Sequence, residues 1–326
     1  MERAVIVERL TKEFEVRERR PGLSGALTSI FSSKTKMVKA LKGVSFSLDE
    51  GEMIGFIGPN GAGKTTTLKI LSGVLHPTQG FVQVAGYTPW ERRHDYLRQI
   101  SLVMGQKNQL WWDLPASETF ELNRAIYEIP EKVYKRSLDE LIEVLKVEKY
   151  LNTPVRRLSL GQRMRLELIA ALLHKPKVIF LDEPTIGLDV VAQQKVRDFI
   201  RQYNKKNKAT VILTSHNMDD VADLAKRVVV IDKGGIVFDG ALSDLVGRFA
   251  KKKIIKICVE GSVDYKKLER IGTIEEAKMP LVTLSVPRGA AKMAAAELLQ
   301  SFPIEDLTIE EEPLESVIRQ VFGGKG

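Results

Sequence analysis

The feature that most constrains this chain is a glycine-rich segment at residues 58–65, which reads Gly-Pro-Asn-Gly-Ala-Gly-Lys-Thr. It matches the pattern G-x-x-x-x-G-K-[ST], and the apolar run Met53 to Ile57 predicts the strand that must precede it. Backbone N–H groups in such a loop close around phosphates, and the helix predicted from Thr65 to Leu71 directs its positive end at them. A simple tight turn is the competing interpretation, but the Lys-Thr pair argues against it. The segment therefore predicts a nucleoside triphosphate site.

The residues predicted to hold the nucleotide phosphates include all of this loop and the start of the following helix. They are Gly58, Pro59, Asn60, Gly61, Ala62, Gly63, Lys64, Thr65 and Thr66. The Lys64 ammonium would add a point charge, and the Thr65 hydroxyl would be a ligand of Mg²⁺.

Length and charge set broad limits. The 326 residues are enough for two domains. A net charge of +8 and a pI near 9.3 favour an anionic partner, and nucleotide, nucleic acid and an anionic lipid surface all qualify. Cys258 is the only cysteine, which excludes an internal disulfide and favours a reducing cytoplasm.

The sequence contains no run of about 18 uncharged apolar residues, the length needed to cross a bilayer. The apolar patch near the N-terminus carries charges and does not resemble a signal peptide. We therefore expect a soluble chain, unless a partner holds it at a membrane.

The pattern of apolar residues predicts an α/β fold with two domains. Continuous apolar runs at 178–181, 210–213 and 228–231 are typical of strands buried on both faces of a parallel sheet. The first domain is predicted at 1–248, with antiparallel strands near its start and a helical subdomain at about 107–176. After the basic run 251–253, a small α/β domain is predicted at 254–326. In that domain the acidic run Glu310 to Glu312 is interpreted as a solvated loop.

A basic insert at about 17–37 interrupts the first strands. Arg17, Arg19 and Arg20 open it, Lys34 and Lys36 close it, and the apolar residues between them are spaced as on one helical face. These are Leu23, Leu27, Ile30 and Phe31. Two interpretations remain open, a surface hairpin extension or a short amphipathic element that touches lipid or a partner.

A second site element follows the buried strand at 178–181, where Asp182 and Glu183 emerge. Parallel sheets bind their ligands at the carboxyl ends of strands. Since neighbouring residues on an extended chain point to opposite sides, one carboxylate could hold Mg²⁺ while the other faces the attacking water. Two acids at a strand end can also be simple capping or surface residues.

The order of motifs along the chain resembles the nucleotide-binding subunit of an ABC transporter, over roughly residues 1–245. The matching segments are 58–65, Gln106 after a strand, Leu-Ser-Leu-Gly-Gln at 158–162, Asp-Glu-Pro at 182–184, Gly-Leu-Asp at 187–189 and Thr-Ser-His at 214–216. Within the family, 104–113 and 158–163 resemble a branch near drug- and sodium-export ATPases that work with a separate permease. The resemblance implies a P-loop NTPase fold of ABC type, with a mixed or parallel sheet core, an antiparallel β subdomain and a helical subdomain.

The resemblance also implies site roles. Thr65, Gln106 and Asp182 would surround Mg²⁺, Glu183 would polarise the attacking water, and His216 would sense the γ-phosphate. Residues expected to contact nucleotide beyond the phosphate loop are Phe14, Ser159, Leu160, Gly161, Gln162 and Asp189. On residue type alone, a phenylalanine such as Phe14 is more often a core residue, and a histidine such as His216 is more often structural.

Leu160 departs from the family pattern, which has glycine there. Leucine retains the N–H donor that can contact an anion at a helix N-terminus, but it cannot adopt a positive φ cheaply. We interpret it as a variant of the branch, although a weakened composite site is an alternative.

The sequence thus predicts an ATPase that forms a head-to-tail dimer, most simply a homodimer, around two ATP molecules with Mg²⁺. It would lie peripherally at the cytoplasmic face of a membrane and power a permease, with no nucleic acid partner expected. Trp111 and Trp112 are either anchors for that permease or core aromatics. The alternative function is a soluble ABC-type ATPase that acts on a ribosome or nucleic acid.

Overall fold

The computed structural model describes residues 2–17, 35–105, 109–261 and 263–323. Its strands are β1 (Arg3–Arg17), β2 (Thr35–Asp49), β3 (Met53–Ile57), β4 (Gln79–Val84), β5 (Ile100–Met104), β6 (Val178–Asp182), β7 (Thr210–Thr214), β8 (Arg227–Asp232), β9 (Gly235–Ala241), β10 (Lys252–Val259), β11 (Thr273–Lys278), β12 (Leu281–Pro287) and β13 (Ile304–Glu311). Its α-helices are α1 (Lys64–Leu71), α2 (His94–Leu97), α3 (Ala116–Ile126), α4 (Glu131–Leu145), α5 (Leu160–Leu172), α6 (Val190–Asn207), α7 (Met218–Leu224), α8 (Leu242–Phe249), α9 (Tyr265–Ile271), α10 (Ala291–Ser301) and α11 (Leu314–Gly323). These elements form two compact units, Met1–Gly240 and Ala241–Gly326.

A six-stranded sheet in the order β5-β6-β7-β3-β8-β9 forms the centre of the first unit. Its pairs from β5 to β8 are parallel. Val178 and Phe180 of β6 pack into one apolar core, while Ile179 and Leu181 pack into another. Because both faces are covered, these strands carry no polar alternation, as the sequence predicted.

A three-stranded antiparallel sheet, in the order β2-β1-β4, contributes to one of these cores. β1 and β2 pair along their length, from Arg3 opposite Asp49 to Arg17 opposite Thr35. Residues 18–34 of the predicted insert lie outside the described residues, and so do the apolar positions of its predicted helical face.

Helices α3 to α6 supply most of the other core. Pro130 precedes α4 in an extended conformation, which suits a residue that has no N–H to donate. Leu141 and Leu145 of α4 are buried, and Leu138 and Ile142 pack against the same core. In the part of the chain that the structure describes, no helix has the length and apolar character to span a bilayer.

The second unit contains a β-α-β-β-α-β arrangement built from β10, α9, β11, β12, α10 and β13. Its antiparallel sheet has the order β11-β12-β10-β13, and Ile255, Leu284 and Leu298 lie in the core between sheet and helices. The prediction that Glu310 to Glu312 form a solvated loop is wrong. Glu310 and Glu311 belong to β13, and the buried Glu312 carboxylate accepts hydrogen bonds from the N–H groups of Lys251 (3.1 Å) and Lys252 (3.3 Å).

Candidate functional site

The glycine-rich loop connects β3 to α1, as its sequence predicted. A Cβ at Gly58 would lie 2.2 Å from the Ile231 carbonyl oxygen, so only glycine fits there. Gly63 combines a φ of +113° with close approach to Leu41, and it immediately precedes α1. The Ala62 N–H donates to the Pro59 carbonyl at 3.1 Å, which closes the loop on itself. The loop therefore presents its backbone at the N-terminus of α1, in the manner of an anion site.

Lys64 is the first residue of α1 and is only 5% exposed. Its ammonium donates to the carbonyls of Gly58 at 2.7 Å and Pro59 at 3.1 Å, so it is held over the loop. Burial lowers the pKa of Lys64, and the nearby carboxylates of Glu183 and Asp182 oppose that shift. Phosphate oxygens at this loop would accept from the same ammonium.

Asp182 lies at the end of β6 between two threonine hydroxyls. Thr65 donates to its Oδ2 at 2.9 Å and Thr214 donates to its Oδ1 at 2.6 Å. A carboxylate beside a hydroxyl provides the oxygen ligands that Mg²⁺ prefers. Within the described ranges, no group of three His, Cys, Asp or Glu side chains could hold a metal without other ligands. The two side chains therefore fit a Mg²⁺ ion that shares its remaining ligands with phosphates and water.

Glu183 leaves the strand in a left-handed conformation, with φ of +56°. Its N–H donates to the Thr214 carbonyl at 3.0 Å and approaches the Thr214 hydroxyl at 3.1 Å, and this bond anchors the turn. Its Oε1 lies 2.5 Å from Nε2 of His216. Because β6 ends at Asp182, the two carboxylates are separated by a backbone turn at Glu183, and the strand alternation that we expected is wrong here.

The segment before Gln106 lies close to this turn. The Gly105 N–H donates to the Asp182 carbonyl at 2.9 Å, and a Cβ at Gly105 would lie 2.1 Å from the Glu183 carbonyl oxygen. Gln106 itself falls outside the described residues.

The Leu-Ser-Leu-Gly-Gln segment forms the start of α5. Ser159 caps the helix by accepting from the Gln162 N–H at 3.3 Å, while the Gln162 side chain accepts from the Ser159 N–H at 2.9 Å. A Cβ at Gly187, whose φ is +71°, would lie 2.8 Å from Leu160 Cδ2. The leucine that replaces the usual glycine therefore packs against the Gly-Leu-Asp segment.

Asp189 ends that segment and has a local role in the fold. Its Oδ1 accepts from the Ala192 N–H at 2.8 Å and caps α6. Helix caps of this type contribute about 1 kcal/mol.

Phe14 lies on β1 opposite Val38 and is partly exposed, so it is not a core aromatic. The Lys12 ammonium lies 5.0 Å from its ring centroid. His216 is also exposed, and its contact with Glu183 places it beside the end of β6.

The structure thus brings four of the predicted groups into one bonded cluster, namely Thr65, Asp182, Glu183 and His216. The segment 159–162 forms a second cluster with residues 187–192.

Sequence reasoning assigned no role to three supporting residues. Thr214 bridges Asp182 and Glu183, Asp220 is a buried acceptor behind His216, and Glu167 is buried on α5. The apolar run of β7 pointed to Thr214 as its end, but nothing in the local sequence distinguished Asp220 or Glu167 from solvated acids.

Comparisons with known proteins bear on the whole chain. A sequence profile described as ABC transporter matches residues 41–186, and one described as the C-terminal domain of EvrA-like ABC transporters matches residues 251–310. The ABC transporter ATP-binding protein NatA of Bacillus subtilis is 33% identical over 215 residues, which cover 66% of this chain and 87% of that protein. The linearmycin resistance ATP-binding protein LnrL, also of Bacillus subtilis, is 33% identical and covers 68% of this chain and 70% of its own length.

A longer relative and two solved structures extend this result. ABC transporter A family member 1 of Dictyostelium discoideum is 30% identical over 96% of this chain, which spans 34% of that protein. A solved ATP-binding subunit of an ABC transporter has a TM-score of 0.62 at 24% identity, covering 76% of this chain and 93% of its own. A dimeric ATP-binding cassette bound to ADP and phosphate has a TM-score of 0.61 at 24% identity, covering 73% and 98%. These structures confirm the fold class that the sequence predicted.

Proposed function

Because this chain belongs to the family of ABC transporter ATP-binding proteins and hydrolyses ATP to power transport, we propose that two copies associate head to tail around two MgATP molecules. The dimer would bind a separate permease at the cytoplasmic face of the membrane. The observation that carries this proposal is the bonded cluster of Thr65, Asp182, Glu183 and His216 beside the phosphate loop.

The cluster supports a division of roles in phosphoryl transfer. Thr65 and Asp182 would hold Mg²⁺, together with Gln106, while Lys64 and the loop N–H groups bind phosphates. Glu183 would orient and polarise the attacking water, and His216 would donate to the γ-phosphate. Such a site acts by positioning and by neutralising charge, so the contacts among these side chains carry the catalytic geometry.

The head-to-tail dimer is supported by the cluster around α5. Ser159, Gly161 and Gln162 would provide donors to the γ-phosphate bound by the partner subunit, with the N–H of Leu160 in the same row. Beside them, Val190 and Val191 at the start of α6 are 75% and 64% exposed. Two adjacent valines open to solvent, next to the Gly-Leu-Asp segment, fit a surface that becomes buried on dimerisation.

A second surface fits the permease. A groove of about 370 Å³ is lined by residues that include Arg98, Gln109, Asn123, Ile126 and Tyr127. Trp111 and Trp112 follow Gln109 and are 54% and 48% exposed, which removes the alternative that they are core aromatics. Exposed tryptophans that follow a groove residue closely in the chain favour a protein-docking surface. Arg92 and His94, two basic side chains of the groove, favour a docking segment that carries acidic residues, whereas Arg98 already pairs with Glu128 at 2.9 Å.

The direction of transport follows from the relatives. One of them is named for linearmycin resistance, which suits removal of a toxic compound, and we propose that this chain likewise powers export. The permease would select the transported compound.

Glu183→Gln tests the proposed function. The variant retains the shape of the side chain, so we expect it to bind MgATP, lose at least nine-tenths of its turnover and accumulate as an ATP-bound dimer in gel filtration with light scattering. Glu143→Gln changes an exposed glutamate on α4 and should behave as wild type. Wild-type turnover in Glu183→Gln would refute the assigned role.

The membrane partner is tested by affinity purification of the native complex from detergent-solubilised membranes. We expect a multispanning membrane protein to be recovered with the wild type and lost with the Trp111→Ser/Trp112→Ser double variant. Recovery of ribosomal proteins or nucleic acid in place of a membrane protein would favour a non-membrane ATPase.

A further inference from the structure

We infer that Asp220 is a positioning residue for the ATPase reaction, which sets the geometry between His216 and Glu183 from behind the site. This inference rests on the proposed roles of those two residues. Asp220 lies on α7 and is fully buried, and it is absent from the motifs that identified the site.

The Asp220 carboxylate holds both catalytic segments at once. Its Oδ2 accepts from the hydroxyl of Ser215 at 2.7 Å and from the hydroxyl of Thr185. Ser215 immediately precedes His216, and Thr185 follows Glu183 by two residues. One oxygen atom therefore ties together the two chain segments that carry the reacting side chains.

The other carboxylate oxygen is held by a buried cation. Arg197 of α6 donates from Nη1 to Asp220 Oδ1 at 2.9 Å, and its Nε lies 3.0 Å from a carboxylate oxygen of Asp223. The same arginine donates to the Gln194 side chain at 2.8 Å. Because hydrogen bonds to Asp220 and Gln194 fix Arg197 beside the Asp223 carboxylate, Asp220 has a rigid reference on α6.

A neighbouring bridge joins the same helix to the His216 segment. Gln193 of α6 donates to the Leu188 carbonyl at 3.1 Å and accepts from the Asn217 side chain at 3.1 Å. Asn217 follows His216, and Leu188 lies in the Gly-Leu-Asp segment. One face of α6 therefore holds the His216 loop twice, through Gln193 to Asn217 and through Arg197 and Asp220 to Ser215. Asp220 also holds Thr185, close to Glu183.

This arrangement has a kinetic consequence that differs from simple stabilisation. Loosening the Asp220 bonds would change the distance between His216 and Glu183 without removing any group that touches nucleotide. Errors of about 1 Å in a catalytic arrangement cost about 100-fold in rate. We therefore expect Asp220→Asn to lower kcat at least tenfold and to change the KM for MgATP less than twofold.

The decisive measurement is a double-mutant comparison in single-turnover assays with excess enzyme. If Asp220 acts by setting the geometry between His216 and Glu183, then Asp220→Asn should slow the wild type at least tenfold and slow His216→Ala less than twofold, because that geometry is already lost without the His216 side chain. Val196→Ala, a buried change on α6 next to Arg197, controls for general loss of packing. It should lower the melting temperature and leave kcat within twofold of wild type.

Two further variants test the positioning role of Asp220 if Asp220→Asn does not fold. Ser215→Ala and Thr185→Val each remove one tether while the Asp220–Arg197 pair remains, and each should lower kcat more than KM. Unchanged kcat in these variants, or equal slowing by Asp220→Asn in the wild-type and His216→Ala backgrounds, would overturn the inference. Wild-type turnover in His216→Ala would instead contradict the proposed function.

Discussion

Leu160 and Gly187 lie so close together that a Cβ at position 187 would be 2.8 Å from Leu160 Cδ2. One residue begins the helix that would contact the partner's ATP, and the other opens the segment that leads into α6. Leucine at 160 is therefore accommodated by glycine at 187, and the two positions form a packed pair in place of the flexible glycine that is usual in the family.

The pair predicts the effect of Gly187→Ala. The new methyl group would push Leu160 and strain a residue with φ of +71°, so we expect ATP-dependent dimerisation and turnover to fall severalfold. Gly43→Ala is the matched control, because Gly43 has a φ of +84° and open space around it. Each change costs roughly 1–2 kcal/mol for the left-handed backbone. Equal turnover in the two variants would contradict the prediction, whereas recovery in Leu160→Ala/Gly187→Ala would support it.

Head-to-tail assembly predicts complementation between two inactive proteins. A Lys64→Ala subunit supplies an intact Ser159, and a Ser159→Arg subunit supplies an intact phosphate loop. Mixing them should therefore form one complete site per heterodimer and restore ATP turnover. Lys64→Ala mixed with Lys64→Ala/Ser159→Arg has no intact loop and should stay inactive. Failure to recover activity at any mixing ratio would count against the composite site.

The 2.9 Å contact between Thr65 and Asp182 predicts a change in metal dependence. Thr65→Ala removes the hydroxyl proposed to bind Mg²⁺, so the Mg²⁺ concentration for half-maximal ATPase activity should rise at least fivefold. Thr65→Ser retains the hydroxyl and should remain within twofold of wild type. A titration of Mg²⁺ at constant ATP distinguishes the two outcomes, and equal metal curves for alanine and serine would exclude Thr65 as a ligand.

Because of the buried ring of His174, we expect the folded protein to lose stability under mildly acidic conditions. Its ring stacks on Tyr127 with centroids 3.9 Å apart, its Nε2 lies 2.9 Å from the Ile100 carbonyl, and burial lowers its pKa to about 4. Because the folded pKa lies below the ordinary value of about 6.5, the unfolded chain binds the proton more readily. The stability that neutral His174 contributes is complete above pH 6.5. Up to about 3 kcal/mol of the free energy of unfolding is lost as the pH falls towards 4.

Thermal melts of the wild type and His174→Gln between pH 7.5 and 5.0 test this expectation. Glutamine retains a donor for the Ile100 carbonyl but does not titrate, so its melting temperature should fall less as the pH decreases. Parallel curves for the two proteins would show that His174 does not account for the acid sensitivity.

Two substitutions of Glu167 should have opposite effects on stability. Its buried carboxylate accepts from the Gln109 N–H at 3.0 Å and the Leu110 N–H at 3.3 Å, and burial raises its pKa. Glu167→Ala would leave those N–H groups without an acceptor. Each unsatisfied N–H should lower the free energy of unfolding by about 1–3 kcal/mol. Glu167→Gln retains an acceptor and removes the charge that burial disfavours, so its stability at pH 8 should equal or exceed that of wild type. Urea denaturation measures both, and equal destabilisation would contradict this account.

The elements that the sequence predicted well are those whose physics is local. The phosphate loop and the buried strands each depend on neighbours within a few residues. Asp220, Glu167 and Glu312 look like surface acids in the sequence, yet all three are buried. Their burial depends on donors far away along the chain, such as Arg197 for Asp220, and no local pattern reveals such partners.

The contact between Leu160 and Gly187 was missed for a related reason. The sequence identified both motifs separately, but only the fold brings the start of α5 against the segment before α6. We therefore could not assign a compensating partner to Leu160 from the sequence.

The position of β7 between β6 and β3 has a consequence for insertions and deletions. Thr214 reaches Asp182 on the neighbouring strand because β7 ends in register with β6, where Asp182 is opposite Thr214. Side chains on a strand alternate with a period of two, so one extra residue in β7 would turn the hydroxyl away and displace His216 by a full step. Length in this strand is therefore under tighter constraint than composition, and homologous chains should exchange residues here far more freely than they gain or lose them.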